Sequence, residues 1–380
     1  MASSTPAPRT DIQGAEIGSR PIVERIMRPQ QGSAGRDWFE IEYTVDSQLD
    51  EEVRGVLKRG RVPLGHVIVM DPSDGALLSY VSTDPVAFSA TRTYPTASLM
   101  KIVTAAAVLR NAPEAATRDC RYVGSPHQVR QKHLSPPRSG GRVDSFWRAL
   151  AISNNQCFAR LAVHDVGEEG MLEEMRRLGL LESPAAGHAA GHVEPIANAL
   201  DLGHLGSGLD GSFISPLAAA RLAAVLARGE LVPPYWIARV TDAYGLTLAL
   251  PPRGSPRSVW PPELAEELRE LMVGVTARGT AKSAFRDARG RPLLGPVRVS
   301  GKTGSLSGRD PTGRYEWFIG VAPAEAPRVA IAAVVVNGPR WWRNASQIAA
   351  EVLRLIFCEN GRCEASRAER LRAHRTRERG

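Results

Sequence analysis

Thr96-Ala97-Ser98-Leu99-Met100-Lys101 opens a run rich in Ala, Leu, Val and Met that reads as a helix from Ser98 to Arg110. Serine is a poor nucleophile at neutral pH and needs an adjacent base. A three-residue spacing on a helix puts Ser98 and Lys101 on one face, about one turn apart. Lysine serves as a base only when its pKa is lowered, which burial and a neighbouring cation both achieve. The expectation is a largely neutral Lys101, with Lys302 as the second cation. A Ser-x-x-Lys pair alone is common on surface helices, so the reading depends on two further strings.

The second string, Ser153-Asn154-Asn155, interrupts apolar residues in the stretch Ser145 to His164, which reads as one amphipathic helix. Polar groups set among apolar ones need partners, and a reactive site is one way to supply them. Ser153 suits a proton relay between Ser98 and a leaving amine, and Asn155 suits a hydrogen bond to a substrate amide. The third string, Lys302-Thr303-Gly304, follows Val297 to Gly301, a short apolar strand. Lys and Thr at a strand edge, with Gly allowing close approach, suit a carboxylate and an extended peptide. The N–H of Ser305 is placed to form an oxyanion hole with that of Ser98.

Around these strings the chain divides into strand-rich ends and a helical middle. Residues 1–36 are rich in Pro, Ser and Gly and read as a flexible linker. Residues 37–358 read as the folded domain, beginning at the alternating run Trp38 to Val45. Asp46 or Ser47 caps a helix ending near Lys58. His66 to Met70 and Ala76 to Val81 flank Asp71-Pro72-Ser73-Asp74-Gly75, a hairpin signal. Helices are expected at Gly170 to Leu178, Pro216 to Arg228 and Pro262 to Arg278. The first residue of the second follows Ser215 as N-cap, and Gly229 lies past its end. Strands return at Val297 to Lys302, Tyr315 to Val321 and Val329 to Val336, and Asn344 caps a last helix to about Phe357. The fold class is α/β: an antiparallel sheet with strands from both ends of the chain, packed by helices, plus an all-helical lobe.

With 380 residues, 43% of them hydrophobic, the chain can bury a large core. Its net charge of +8 invites a nucleic-acid reading, yet part of the excess lies in the tail, residues 359–380, where Arg367, Arg370, Arg372, Arg375, Arg377 and Arg379 cluster. That tail reads as a solvated, frayed extension, and no nucleic-acid recognition motif accompanies it. Cys358 and Cys363 bracket a turn-forming Glu-Asn-Gly-Arg and can form a small-loop disulfide if the protein is exported. Cys120 and Cys157 read as an ordinary loop thiol and a core thiol. No apolar run is long enough to cross a bilayer, and the first residues are no signal peptide.

The ordered triple Ser98-x-x-Lys101, Ser153-Asn154-Asn155 and Lys302-Thr303-Gly304 resembles the motif set of penicillin-binding proteins and serine β-lactamases. The resemblance to the penicillin-binding transpeptidase domain runs from about Phe39 to Phe357. It takes in Tyr43 to Leu49, the hairpin His66 to Ser79, Gly211 to Leu217, Arg278-Gly279-Thr280-Ala281 and Trp317 to Pro323. It implies that Ser98 attacks D-Ala-D-Ala stem peptides of peptidoglycan, forming an acyl-enzyme resolved by an amine (transpeptidation) or water (carboxypeptidation). β-Lactams would acylate the same serine, cell-wall synthesis proteins are possible partners, and no cofactor or metal is needed. It also implies a periplasmic or extracytoplasmic location at the inner membrane. A trimmed or misassigned start reconciles that location with the missing anchor.

Two departures stand out: Ser305-Leu306 replaces the Thr-rich continuation common after Lys-Thr-Gly, and there is no glycosyltransferase region. The alternatives are a serine β-lactamase and a non-catalytic scaffold or sensor. Glu194-Pro195-Ile196-Ala197-Asn198 resembles the acid and Asn that activate deacylating water in β-lactamases. The Ser215-Pro216 helix favours the penicillin-binding reading, and the intact motif residues speak against an idle scaffold.

Overall fold

The computed structural model of the chain describes residues 23–27, 38–339 and 342–371. Its centre is an antiparallel sheet of β1 (Leu64–Met70), β2 (Leu77–Ser82), β3 (Ser300–Arg309), β4 (Thr312–Ala322) and β5 (Val329–Asn337). Their spatial order is β3-β4-β5-β1-β2, so an early hairpin joins three late strands. The hairpin turn forms because Asp71 accepts the Ser73 amide at 2.9 Å and Gly75 takes φ +85°.

β5 is apolar almost throughout because both its faces are covered. Ala330, Ala332, Val334 and Val336 enter one core, while Val329, Ile331, Ala333 and Val335 enter the other. The helices that matter here are α1 (Ser47–Arg59), α2 (Met100–Asn111), α3 (Phe146–Ala151), α4 (Asn155–Arg160), α5 (Ala199–Ser207), α6 (Pro216–Arg228), α7 (Pro262–Ala277) and α8 (Ala345–Phe357). α1 and α8 bury Val53, Leu57, Ile348 and Leu353 against one face. The opposite face meets α2, α6 and α7, through residues such as Ile102, Leu222 and Leu268. The expected caps form: Asp46 accepts from Leu49 N, Ser215 from Ala218 N, and Asn344 makes a capping box with Gln347.

Several expectations need correction. The single helix expected from Ser145 to His164 is broken. It stops at Ala151, Ser153 takes φ +58°, and Asn154 starts α4 by capping Cys157 N at 3.2 Å. Asparagine is a better N-cap than helix interior, and the break gives three buried polar side chains partners. The strand expected over Val297 to Lys302 begins at Ser300 and continues to Arg309, so Lys302-Thr303-Gly304 lies inside β3 rather than at its end.

Within the expected linker, Val23–Met27 pairs with Trp38–Tyr43, which pairs in turn with Ile237–Asp242. Residues 1–22 and 28–36 lie outside the described residues. The basic tail is folded at its start. Ala368 and Leu371 are buried against the α8 side of the sheet, and Arg370 donates to Leu355 O at 2.8 Å. Residues 372–380 lie outside the described residues.

Both cysteine pairs are bridged, Cys358 to Cys363 and also Cys120 to Cys157. The second overturns the reading of two unpaired thiols. The strand Cys120–Tyr122 packs beside α4 and brings the two Cα atoms within 5.8 Å, a proximity that a separation of 37 residues does not reveal.

Candidate active site

The three strings converge where the helical lobe meets the edge strand β3. Tyr94–Pro95 pairs with Ser212–Ile214, and Thr96 N donates to Ser212 O at 2.9 Å, which fixes the approach to Ser98. Ala97 takes φ +53°, and Ser98 sits in the 3₁₀ turn Ala97–Leu99 that leads into α2. β3 passes alongside. A Cβ placed on Gly304 would lie 3.4 Å from Ser98 N and 3.2 Å from the Ala97 methyl, so any side chain there would crowd the turn that carries Ser98.

Lys101 is fully buried on α2. Its Nζ lies 3.0 Å from Ser98 Oγ and 2.6 Å from Asn155 Oδ1, and it also donates to Ser207 O at the end of α5. Two of these partners are carbonyl oxygens, which only accept. A neutral amine meets the whole set with two N–H bonds to the carbonyls and a lone pair facing the Ser98 hydroxyl. Burial lowers its pKa well below the ordinary lysine value, and the charge of Lys302 lowers it further.

Lys302 is also fully buried, and burial pushes it down to about 7. Its Nζ donates to Ser153 Oγ and to Thr303 O, both at 2.9 Å. Two of the three N–H groups of its ammonium form are thus taken by the protein. Its charge acts through the Ser153 hydroxyl and the local field. Thr303 is partly exposed, and its hydroxyl lies 2.5 Å from that of Thr280. Ser305 is exposed on β3, and its Oγ accepts from Arg314 Nε at 2.7 Å.

Asn155 joins the first two strings: its Oδ1 accepts from Lys101, and its Nδ2 donates to His127 O at 2.7 Å. Its amide N donates to Pro126 O at 2.7 Å. Burial holds the pKa of the His127 imidazole below the usual histidine value, and the charge of Lys302 pushes it the same way. Sequence reasoning missed His127, Ser207 and Arg314 and gave Thr280 no chemistry. Ser207 contributes a main-chain oxygen, for which no side-chain signal exists. Thr280 alone stood in a string already singled out, Arg278 to Ala281. Asn198 does not join the cluster: its Oδ1 caps α5 at Leu200 N and Asp201 N, and its Nδ2 donates to Asp201. Glu194 is exposed on the neighbouring loop.

Among the described residues, no three His, Cys, Asp or Glu side chains gather as metal ligands, and no helix is long and apolar enough to cross a membrane. The site can supply an activated hydroxyl, a neutral amine base, a hydroxyl held by a buried ammonium, and exposed hydroxyls for an anion.

Residues 65–357 match the family described as the penicillin binding protein transpeptidase domain. The peptidoglycan D,D-transpeptidase PbpA of Mycobacterium tuberculosis H37Rv is 27% identical over 315 residues, covering 72% of this chain and 62% of that protein. Its counterpart in Mycolicibacterium smegmatis is 26% identical over 314 residues, with the same coverage. The chain thus spans 62% of the length of these relatives. Among solved structures, PBPA from M. tuberculosis superposes with a TM-score of 0.67 at 24% identity, covering 83% of this chain and 81% of that one. The same protein as its penicillin G acyl-enzyme complex gives 0.64 at 26% identity, covering 83% and 79%. With the profile match spanning most of the folded residues and the three strings meeting in one cleft, the chain belongs to the penicillin-binding transpeptidase domain family.

Proposed function

We propose that this chain is a serine D,D-transpeptidase or D,D-carboxypeptidase acting on D-Ala-D-Ala stem peptides, at the extracytoplasmic face of the membrane. The observation that carries the proposal is the set of partners around Lys101 Nζ, which a neutral amine beside Ser98 satisfies in full. Lys101 takes the Ser98 proton as Oγ attacks the carbonyl between the two D-alanines. The amides of Ser98 and Ser305 stabilise the oxyanion. Collapse expels the terminal D-alanine, whose nitrogen takes a proton through Ser153, itself held by Lys302 at 2.9 Å. An amine or water then attacks the acyl-enzyme. Asn155 orients both Lys101 and the substrate amide, while Thr303 receives the terminal carboxylate.

A β-lactamase reading has less support, because Asn198 is engaged in capping α5 rather than paired with Glu194. The two disulfides fit an oxidising compartment. Intact-mass spectrometry after incubation with benzylpenicillin tests the proposal, with D-alanine release from a D-Ala-D-Ala peptide as the second readout. A stable adduct on wild type and none on Ser98→Ala is expected. An adduct that survives Ser98→Ala, or rapid turnover of the antibiotic, overturns it.

A further inference from the structure

The Cys120–Cys157 bridge stands directly behind the second string. Cys157 lies in α4 two residues after Asn155, and Cys120 begins the segment whose main chain holds that string. Pro126 O accepts from Asn155 N, His127 O from Asn155 Nδ2, and Val123 O and Ser125 O from Gln156 Nε2, at 2.7 to 2.9 Å. The bridge therefore ties the donor loop to the helix that presents Asn155 to Lys101.

Its setting is not that of an inert structural disulfide. A cavity of about 300 Å³ opens on it, lined by both cysteines together with Arg118, Arg121, Arg160 and His164. The Arg160 guanidinium lies 2.8 Å from Cys120 Sγ and donates to Arg121 O at 2.8 Å. Among the described residues it makes no ion pair, while Arg118 is paired with Asp165. Burial alone lowers the Arg160 pKa, with no carboxylate to offset it. A half-buried cation facing a sulfur lacks a counter-ion while that sulfur is in a disulfide, and gains one when it becomes a thiolate.

We propose that Cys120–Cys157 is a thiol–disulfide exchange site, reducible in the folded protein by a dithiol reductant, and that its reduction loosens the seat of Asn155. A reductant thiolate attacks the Sγ of Cys120, the less buried of the two residues, and forms a mixed disulfide. The Cys120–Cys157 bond breaks, and Cys157 leaves and takes a proton from water. The second thiol of the reductant, having lost its proton to solvent, attacks the reductant sulfur of the mixed disulfide. Cys120 is expelled as a thiolate beside Arg160, and the reductant ends as a disulfide, having delivered two electrons.

The test uses the full chain carrying Cys358→Ser and Cys363→Ser, so that one bridge remains. Native protein is equilibrated with dithiothreitol, trapped with an alkylating agent and mapped by mass. Amide hydrogen exchange at Asn155 and Gln156 and fluorescent-penicillin labelling of Ser98 are followed in parallel. The expected result is alkylation of both cysteines without unfolding, faster exchange at the two amides, and labelling slowed roughly tenfold or more, all reversed on reoxidation. In Arg160→Gln, roughly tenfold more dithiol should be needed for half-reduction. A bridge that resists until global unfolding overturns the proposal. So does unchanged amide exchange after reduction, or an Arg160→Gln midpoint equal to that of the parent. Only the labelling readout rests on the function proposed above. Absent labelling of the oxidised chain refutes that function, while trapping and exchange still judge the bridge.

Discussion

Asn155→Asp changes one atom in the site and reverses its electrostatics. The amide oxygen lies 2.6 Å from Lys101 Nζ, so the substitution puts a carboxylate at salt-bridge distance from the base. At an effective dielectric of about 20, the attraction for an ammonium at that separation is about 6 kcal/mol. Desolvating the carboxylate at a position only 5% exposed offsets several kcal/mol of it. The net effect is a Lys101 pKa raised by about 1–3 units, with the proton held where the mechanism needs a lone pair. Acylation of Ser98 by fluorescent penicillin, measured from pH 5 to 10, reads this directly. The acid limb should move to higher pH by about 1–3 units, and the rate at neutral pH should fall by up to roughly 1000-fold. Activity should recover at the alkaline end. A uniform loss at every pH would indicate a disrupted structure instead. An unmoved limb with near-normal rates would refute Lys101 as the base.

Three further outcomes follow from the same geometry. Gly208 takes φ +68°, and a Cβ there would lie 2.0 Å from Ala97 O. Gly208→Ala should therefore cost at least about 1–3 kcal/mol of stability and slow acylation, checked by denaturant unfolding and labelling. Thr280→Val removes the hydroxyl 2.5 Å from Thr303, and should reduce acylation by benzylpenicillin roughly tenfold while leaving its methyl ester unaffected. Lys302 has its folded pKa pushed down to about 7 from 10.5, so between those values the unfolded chain binds more protons, and this group makes stability rise with pH. Lys302→Met should remove that slope, raising the melting temperature more at pH 6 than at pH 10.

The sheet was legible because β5 and the early hairpin carry unbroken apolar runs bounded by turn residues, and α6 is bracketed by Ser215, Pro216 and Gly229. The three strings that the structure brings together were legible because side-chain chemistry at fixed spacing survives in the sequence. What escaped depended on the main chain or on long-range proximity. The positive φ at Ser153 breaks a helix whose periodicity looks continuous. Ser207 acts through its carbonyl. The Cys120–Cys157 bridge spans 37 residues without a local cue. The burial of Lys302 also went unseen, since a lysine at a strand edge reads as exposed until the strand is found packed behind Ser153.

The protonation state of Lys101 in the unliganded protein is the most direct test. In protein with labelled lysine side chains, the Lys101 resonance can be assigned with Lys101→Arg and followed by NMR through a pH titration. The account predicts a neutral amine at pH 7, titrating well below the ordinary lysine value. A resonance that stays that of an ammonium up to pH 10 would contradict it.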